Sequence, residues 1–96
     1  MRFKDKVILI TGSSRGVGRA TAIEFAKEGG AVAINFNGSK DKAEQLVEEI
    51  RNNGGIAEAF KCDVSNESEV KDLINSVIDK FGKLDILVNN AAYVWS

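Results

Sequence analysis

A run of glycines between an apolar segment and an amphipathic one most limits how this chain can fold. Val7 to Ile10 are consecutive apolar residues, and Gly12, Gly16 and Gly18 follow with the spacing G-x3-G-x-G. A strand, a glycine turn and a helix in this order can bring backbone N–H groups close to a diphosphate. The commonest dinucleotide fingerprint is G-x-G-x-x-G, so this turn is a variant of it.

Each glycine of the turn has a physical reason to be glycine. Gly12 allows a tight turn out of the strand, Gly16 lets the backbone approach a pyrophosphate, and Gly18 lets the helix pack against the sheet. Ser13 and Ser14 add hydroxyl donors to a phosphate. A P-loop is excluded because no Gly-Lys-Ser/Thr sequence occurs. The alternative to a phosphate-binding turn is a glycine-rich turn between strand and helix that binds no ligand.

Composition excludes several classes of protein. The chain has 96 residues and a net charge of -1, which fits at most one domain and gives no electrostatic footprint for nucleic acid or an acidic membrane. No apolar run approaches the ~20 residues that span a bilayer. The charged N-terminus lacks a signal peptide's apolar region, so we expect a cytoplasmic protein. One cysteine and no histidine exclude an intrachain disulfide and a Cys/His zinc site, and we predict no metal.

The hydrophobic pattern predicts an α/β fold in the order β-α-β-α-β-α-β. Continuous apolar runs in strands 1 and 4 are typical of strands buried on both faces of a parallel sheet. Ser39 and Asn66 are predicted helix N-caps, the latter in a capping box with Glu69. The predicted strands are Lys6–Thr11, Ala31–Asn35, Ile56–Cys62 and Asp85–Asn89, and the helices are Arg15–Glu28, a segment from Ser39 to Asn52, and one from Asn66 to Phe81.

Three motifs make the chain resemble the short-chain dehydrogenase/reductase family. Thr11 to Gly18 is similar to the family's T-G-x3-G-x-G signature, Asp63-Val64 to its Asp-Val pair, and Asn89 to Ala92 to its N-N-A-G motif. Ala92, where the family usually has glycine, is a conservative departure. The resemblance implies the N-terminal half of a doubly wound Rossmann fold, with three helices and a parallel sheet of order 3-2-1-4.

The resemblance also implies a nucleotide-binding site for a nicotinamide cofactor. Asp63 would meet the adenine, whereas Asn90 and Ala91 would lie under the ribose and nicotinamide. Asn89 is expected to tie strand 4 to neighbouring backbone, and Cys62 to be a strand residue rather than a reactive thiol. The complete set of predicted cofactor-binding residues is Gly12, Ser13, Ser14, Arg15, Gly16, Val17, Gly18, Asn37, Asp63, Val64, Asn90 and Ala91.

The residues after strand 2 favour NADP(H) over NAD(H). An NAD site places an acid about 20 residues past the glycines, to bond the ribose 2′-hydroxyl. Here Asn35 to Asn37 read N-F-N, and the first acid is Asp41. Arg15 lies inside the glycine turn, where a guanidinium can bind a 2′-phosphate with two hydrogen bonds. Lys40 is a weaker candidate, because a charge at a helix start is usually just solvated.

No catalytic residue is predicted within these residues. The family's catalytic Ser, Tyr and Lys lie downstream of N-N-A-G, the last two as Y-x-x-x-K, and the lysine matching Tyr93 would lie past Ser96. We therefore expect residues 1–96 to be a partial, truncated domain that is inactive by itself. The complete enzyme would be an oxidoreductase that transfers hydride to or from a small carbonyl or alcohol substrate. The 3-oxoacyl-carrier-protein reductase and glucose dehydrogenase branches resemble it best.

The alternative is a half-domain that binds nucleotide weakly, or only self-associates, without catalysis. If the chain ended at Ser96, strand 4 would present the apolar edge Ile86 to Val88 to solvent. Bare apolar edges pair with other chains. A homo-oligomer that pairs these edges, or a longer protein that covers them, is therefore expected.

Overall fold

The computed structural model describes residues 1–12 and 16–90. Strands and helices alternate along the chain, as the hydrophobic pattern predicts. Each boundary lies within a residue or so of the predicted one, except where Arg15, the predicted start of the first helix, lies outside the described residues. The elements are β1 (Val7–Thr11), α1 (Gly16–Lys27), β2 (Ala31–Phe36), α2 (Lys40–Asn52), β3 (Ile56–Lys61), α3 (Glu67–Phe81) and β4 (Ile86–Asn89).

The strands form one parallel sheet with the order β3-β2-β1-β4. This confirms the predicted order 3-2-1-4. β1 lies inside the sheet, where Ile10 aligns with Ile34 of β2 and Thr11 aligns with Asn89 of β4. All residues of β1 are buried, as its continuous apolar run predicts.

Helices cover both faces of the sheet. On one face, α1 and α2 pack on alternate residues of β1 and β2, and this cluster includes Ile8, Ile10, Ile34 and Leu46. On the other face, the intervening strand residues pack with α3, in a cluster that includes Val7, Leu9, Ala33, Leu73 and Val77. The two clusters hold the central strands between them and fix where their carboxyl ends lie.

The start of α3 is capped differently from the predicted box. Asn66 Oδ1 accepts a hydrogen bond from the Glu69 N–H at 3.2 Å, as expected of an N-cap. The Glu69 carboxylate does not return a bond to Asn66, because the Asn66 N–H already donates to the Asp63 carbonyl at 3.0 Å. Glu69 instead accepts from the Asp63 N–H at 3.1 Å. The cap therefore ties α3 to the segment that follows β3.

One further predicted position is confirmed without its expected bond, and one predicted burial differs from the structure. Ser39 lies at the N-cap of α2, but its side chain makes no cap hydrogen bond there. β4 is not buried on both faces: Ile86 and Val88 are half-buried against the first core cluster, whereas Leu87 is 50% exposed on the opposite face. The reason is that β4 lies at the edge of the described sheet and pairs there with β1 alone.

No helix in the described ranges is long and apolar enough to cross a membrane. Nor does this part of the chain bring together three or more His, Cys, Asp or Glu side chains in a group that could hold a metal ion.

Candidate functional site

The three sequence motifs follow the carboxyl ends of three parallel strands. The glycine turn follows β1, Asp63 and Val64 follow β3, and Asn90 follows β4. Because the strands are parallel, these ends lie along one edge of the sheet. Ligands of open α/β sheets bind at that edge, where the strand order reverses. In this sheet the reversal lies between β1 and β4.

Backbone conformation requires glycine at two positions of the turn. Gly12 and Gly16 have φ values of 61° and 65°, in the left-handed region that disfavours residues with a Cβ. A Cβ added to Gly16 would meet nothing within 4 Å, so conformation rather than crowding is the constraint there. Gly18 is buried, as a residue that lets α1 approach the sheet should be, whereas Val17 is 75% exposed. The predicted phosphate and specificity residues Ser13, Ser14 and Arg15 lie outside the described residues.

The first turn of α1 suits an anion. Its N-terminus carries the unpaired N–H groups and the partial positive charge of any helix. The first turn of α1 contains no acidic residue, so no carboxylate there competes for these groups. Glu49 of α2 forms an ion pair with Arg19 of α1, three residues after Gly16 at the start of the helix. The described first turn of α1 is therefore suited to a negatively charged group.

Thr11 fastens the ends of β1 and β4 to each other. It is 3% exposed, and its hydroxyl donates a hydrogen bond to Asn89 Oδ1 at 3.0 Å. The same hydroxyl accepts from the Asn90 N–H at 3.0 Å. The Asn89 side chain thus ties β4 to the side chain of Thr11, whereas the predicted partner was neighbouring backbone. Asn90 is exposed at this edge, and Ala91 lies outside the described residues.

Asn35 performs the corresponding task between β1 and β3. Its side chain, 3% exposed, accepts a hydrogen bond from the Gly12 N–H at 3.2 Å and donates one to the Cys62 carbonyl at 3.1 Å. Cys62 immediately precedes Asp63. The carboxamide therefore links the first glycine of the turn to the residue before the predicted adenine contact.

Asp63 presents a fixed, ionised carboxylate at the same edge. Its Oδ1 accepts hydrogen bonds from the Ser65 hydroxyl at 2.6 Å and the Ser65 N–H at 3.0 Å. These two bonds, the hydroxyl's first, lower the pKa of Asp63 below its ordinary value, and the charge of Lys61 adds to them. A carboxylate held in this way can accept a hydrogen bond from an amino or hydroxyl group of a ligand.

Val64 and Cys62 flank Asp63 and point into the core. Val64 is 6% exposed and packs in the cluster under α3, so its side chain does not line the edge. Cys62 is 1% exposed. Burial, followed by the charges of Glu69, Asp63 and Asp72, raises the pKa of its thiol. This agrees with the expectation that Cys62 is not a reactive thiol, since the thiolate is the nucleophile.

The turn after β2 carries no acid. Asn37 is exposed, and Asp41 lies in the first turn of α2. Lys40 is solvated, with a side chain 72% exposed and its ammonium 3.9 Å from Glu44. The carboxylate that would bond a ribose 2′-hydroxyl is thus missing from the position that sequence spacing assigns to it.

Sequence reasoning missed the roles of Thr11 and Asn35. In the sequence, Thr11 begins the glycine signature without a predicted contact of its own, and Asn35 lies where an NAD site would have an acid. Each is a polar residue at the end of an otherwise apolar, buried strand, and buried polar groups are nearly always hydrogen-bonded. Such a residue is expected to have hydrogen-bond partners, but the sequence does not identify them.

Comparison with known proteins identifies the family of the chain. The family model described as short chain dehydrogenase matches residues 6–96. A 3-oxoacyl-[acyl-carrier-protein] reductase FabG of Staphylococcus epidermidis is 49% identical over 87 residues, which are 91% of this chain and 36% of that protein. The short-chain dehydrogenase/reductase homolog YusS of Bacillus subtilis is 44% identical over 92 residues, 96% of this chain and 84% of YusS.

Solved structures that resemble this chain come from the same family as these relatives. A short chain dehydrogenase from Burkholderia cenocepacia in complex with NADP superposes with a TM-score of 0.92 and 38% identity, over 100% of this chain and 39% of that one. A dehydrogenase/reductase from Sinorhizobium meliloti has a TM-score of 0.90 and 36% identity, over 97% of this chain and 36% of that one. The chain thus spans little more than a third of the length of FabG and of these enzymes, and it belongs to the short-chain dehydrogenase/reductase family.

Proposed function

We propose that residues 1–96 are the cofactor-binding part of an oxidoreductase that transfers hydride between NADP(H) and a carbonyl or alcohol substrate. The hydrogen-bonded carboxyl edge of the sheet is the observation that carries this proposal. Asn35 connects the glycine turn to the end of β3, and Thr11 connects β1 to Asn90. The nicotinamide ring supplies the hydride chemistry when the cofactor is bound, and the residues of this chain hold the cofactor in place.

The described residues fit such a dinucleotide. Gly12 and Gly16 give the pyrophosphate a backbone without side chains, next to the uncompensated N-terminus of α1. We propose that the hydroxyl groups of Ser13 and Ser14 donate hydrogen bonds to the same phosphates. Gly18 keeps α1 close to the sheet, and the exposed Val17 offers the cofactor an apolar surface.

The other end of the site would hold the adenosine and the nicotinamide. We assign adenine contact to the Asp63 carboxylate and to the backbone of Val64, since the Val64 side chain is buried in the core. Asn90 and Ala91 would lie beneath the ribose and nicotinamide. This division follows the order of the sheet, in which β3 lies two strands from β1 and β4 lies beside it.

The preference for NADP(H) over NAD(H) rests on charge. Residues Asn35 to Asn37 place no carboxylate beside the adenosine ribose, where a 2′-phosphate would be repelled by one. We assign recognition of that phosphate to Arg15, with Asn37 beside it. The similarity to an enzyme whose structure contains NADP supports the assignment.

A titration of the full-length protein with NADPH and NADH, followed by cofactor fluorescence, tests this preference. We expect NADPH to bind more tightly than NADH, and Arg15→Ala to weaken NADPH binding by roughly tenfold while leaving NADH binding nearly unchanged. Arg2→Ala is the control, because Arg2 is an exposed arginine paired with Glu28 at the other end of β1. Equal affinities for the two cofactors, or an Arg15→Ala variant that binds NADPH as tightly as the unmodified protein, would refute it.

For the complete enzyme we propose a 3-oxoacyl reductase-like activity in the cytoplasm, with a homo-oligomeric assembly. The similarity to FabG supports the substrate class. We propose that residues 1–96 are a partial domain without turnover of their own, because the Ser and Y-x-x-x-K of the family lie beyond the N-N-A motif. Assaying NADPH oxidation with a 3-oxoacyl thioester, for residues 1–96 and for the full-length protein, tests both statements. Turnover by residues 1–96 alone would contradict the second.

A second candidate is a half-domain that binds nucleotide weakly, or only self-associates, without catalysis. Two observations favour it: the chain covers 84% of YusS, and Leu87 of the edge strand β4 is 50% exposed. Under this alternative, sedimentation would show self-association of residues 1–96 that Leu87→Lys disrupts, because an edge lysine opposes strand pairing. A monomer at high concentration would count against it.

A further inference from the structure

We propose that Asn35 is a positioning residue that holds the first glycine of the cofactor turn at a fixed distance from the end of β3, where Asp63 begins. The inference rests on the proposed cofactor function. It adds a residue that would not touch the cofactor but would position the backbone of Gly12 and Cys62. Asn35 itself is 3% exposed.

The hydrogen bonds of Asn35 lie at the ends of the paired backbone. Between β1 and β2 they continue where backbone pairing stops, and between β2 and β3 they add to the bond that the Cys62 N–H donates to the Phe36 carbonyl at 2.9 Å. β1 and β2 pair in register as far as Ile10 and Ile34. Beyond them the chain turns at Gly12, and the Asn35 side chain takes over as acceptor for the Gly12 N–H at 3.2 Å. On its other side, the Asn35 Nδ2 group donates to the carbonyl of Cys62 at 3.1 Å, beyond the last paired residue of β3.

The chemistry of this position calls for an amide. The side chain accepts a hydrogen bond through Oδ1 and donates through Nδ2, to Cys62 and at 3.4 Å to the Phe36 carbonyl. A carboxylate would keep the acceptor but face two carbonyl oxygens without a proton to donate. A leucine of similar shape would neither accept nor donate. Buried as it is, the group has little access to water that could replace a lost partner.

One side chain therefore joins the two halves of the proposed site directly. The pyrophosphate would lie against the turn that begins at Gly12, and the adenine against Asp63. A dinucleotide must reach both at once, whereas adenosine alone would contact only the Asp63 side. Misplacing the turn relative to Asp63 should thus weaken the dinucleotide much more than adenosine.

Asn35→Leu and Asn35→Asp in the full-length protein test the proposal, with Asn75→Leu and Asn75→Asp as matched controls on the exposed surface of α3. The measurements are NADPH affinity, adenosine affinity from the shift of the Asp63 amide resonance, and amide hydrogen exchange at Gly12 in the unliganded protein. We expect both Asn35 variants to bind NADPH about tenfold more weakly, since a buried hydrogen-bonding group is lost in each. Adenosine affinity should change less than about twofold, and Gly12 exchange should accelerate more in the leucine variant, which lacks the acceptor.

Two results would overturn the inference. One is NADPH affinity that stays at the unmodified value in either folded variant. The other is an equal loss for NADPH and adenosine, which a general loosening of the fold would produce. If the unmodified protein binds no NADPH, the proposed function fails, and Gly12 exchange alone decides the positioning role. Exchange that is unchanged in Asn35→Leu then refutes it, and faster exchange supports it. Should the aspartate variant fail to fold, the leucine variant decides.

Discussion

Replacing Thr11 by valine should destabilise the protein by about 1–2 kcal/mol, although the two side chains have nearly the same shape. The hydroxyl donates to Asn89 Oδ1 and accepts from the Asn90 N–H, both at 3.0 Å. Each such bond contributes about 1 kcal/mol net. Valine removes both bonds while filling the same buried space.

Two effects limit the loss. Asn89 and Asn90 are exposed, so water can satisfy them in the variant and the penalty for an unpaired buried group does not apply in full. The added methyl group is buried at a site that is 3% exposed, which offsets up to about 0.8 kcal/mol. Thr11→Ser keeps the hydroxyl and loses only a methyl group, so it should cost about 1 kcal/mol through packing instead.

Urea unfolding of the full-length protein measures the effect. A double-mutant cycle of Thr11→Val with Asn89→Ala should give a coupling energy of about 1 kcal/mol, because each change alone already breaks their shared bond. Thr21→Val on the half-buried side of α1 is the matched control, with an expected change within about 0.5 kcal/mol. A Thr11→Val variant as stable as the Thr21→Val control, or strict additivity with Asn89→Ala, would refute the reasoning.

Three further predictions concern the turn and two carboxylates. Gly16→Ala should lower stability by about 1–2 kcal/mol in urea unfolding, because φ is 65° there, and should weaken NADPH binding; unchanged stability would contradict the strain. Ser65→Ala should raise the pKa of Asp63, whose largest lowering cause is the Ser65 hydroxyl, and an NMR titration that shows no rise would contradict this cause. The pKa of Asp85 is lowered, chiefly by the hydrogen bond that its carboxylate accepts from the Val7 N–H at 2.8 Å. Its ionised form therefore adds stability above pH 3.8, the ordinary value, and this stability is lost as the pH falls through the lower folded pKa. Urea midpoints of Asp85→Asn should thus fall below those of the unmodified protein at neutral pH and approach them in acid, and parallel pH curves would contradict it.

The alternation of elements and the sheet order could be predicted from the sequence because they depend on strong, local patterns. The continuous apolar run of β1 and the stripes of α2 and α3 each fit one kind of element. Right-handed crossovers then leave few ways to arrange parallel strands. The glycine spacing also predicted the position of the turn, because the left-handed backbone at Gly12 and Gly16 depends on the residue type at those two positions.

The links across the carboxyl edge could not be predicted, because they depend on register and on side chains distant in sequence. Thr11 meets Asn90 only because β1 and β4 align Thr11 with Asn89. Asn35 reaches Gly12 and the Cys62 carbonyl across two strand pairs at once. The reciprocal bond of the predicted capping box is absent for a similar reason. Local spacing predicts that the Glu69 carboxylate accepts from the Asn66 N–H, but in the structure it accepts from the Asp63 N–H.

The exposure of β4 shows another limit of pattern reading. The apolar run from Ile86 to Val88 is typical of a strand buried on both faces, but an uncovered edge position was also expected to expose it. Ile86 and Val88 lie half-buried on the core. Leu87 points to the opposite face and is 50% exposed. An apolar pattern indicates that a strand is suited to burial. Whether both of its faces are buried depends on the elements that pack against it.

Mapping NADPH onto the ¹⁵N-labelled full-length protein by NMR tests the location of the cofactor most directly. Binding at the carboxyl edge predicts saturable shifts at Gly12, at residues 16–18, at Asp63 and at Asn90. It also predicts no shifts in the groove that Phe3 and Phe25 line beside α1. Shifts confined to that groove, or none at millimolar NADPH, would contradict a cofactor site built on the glycine turn.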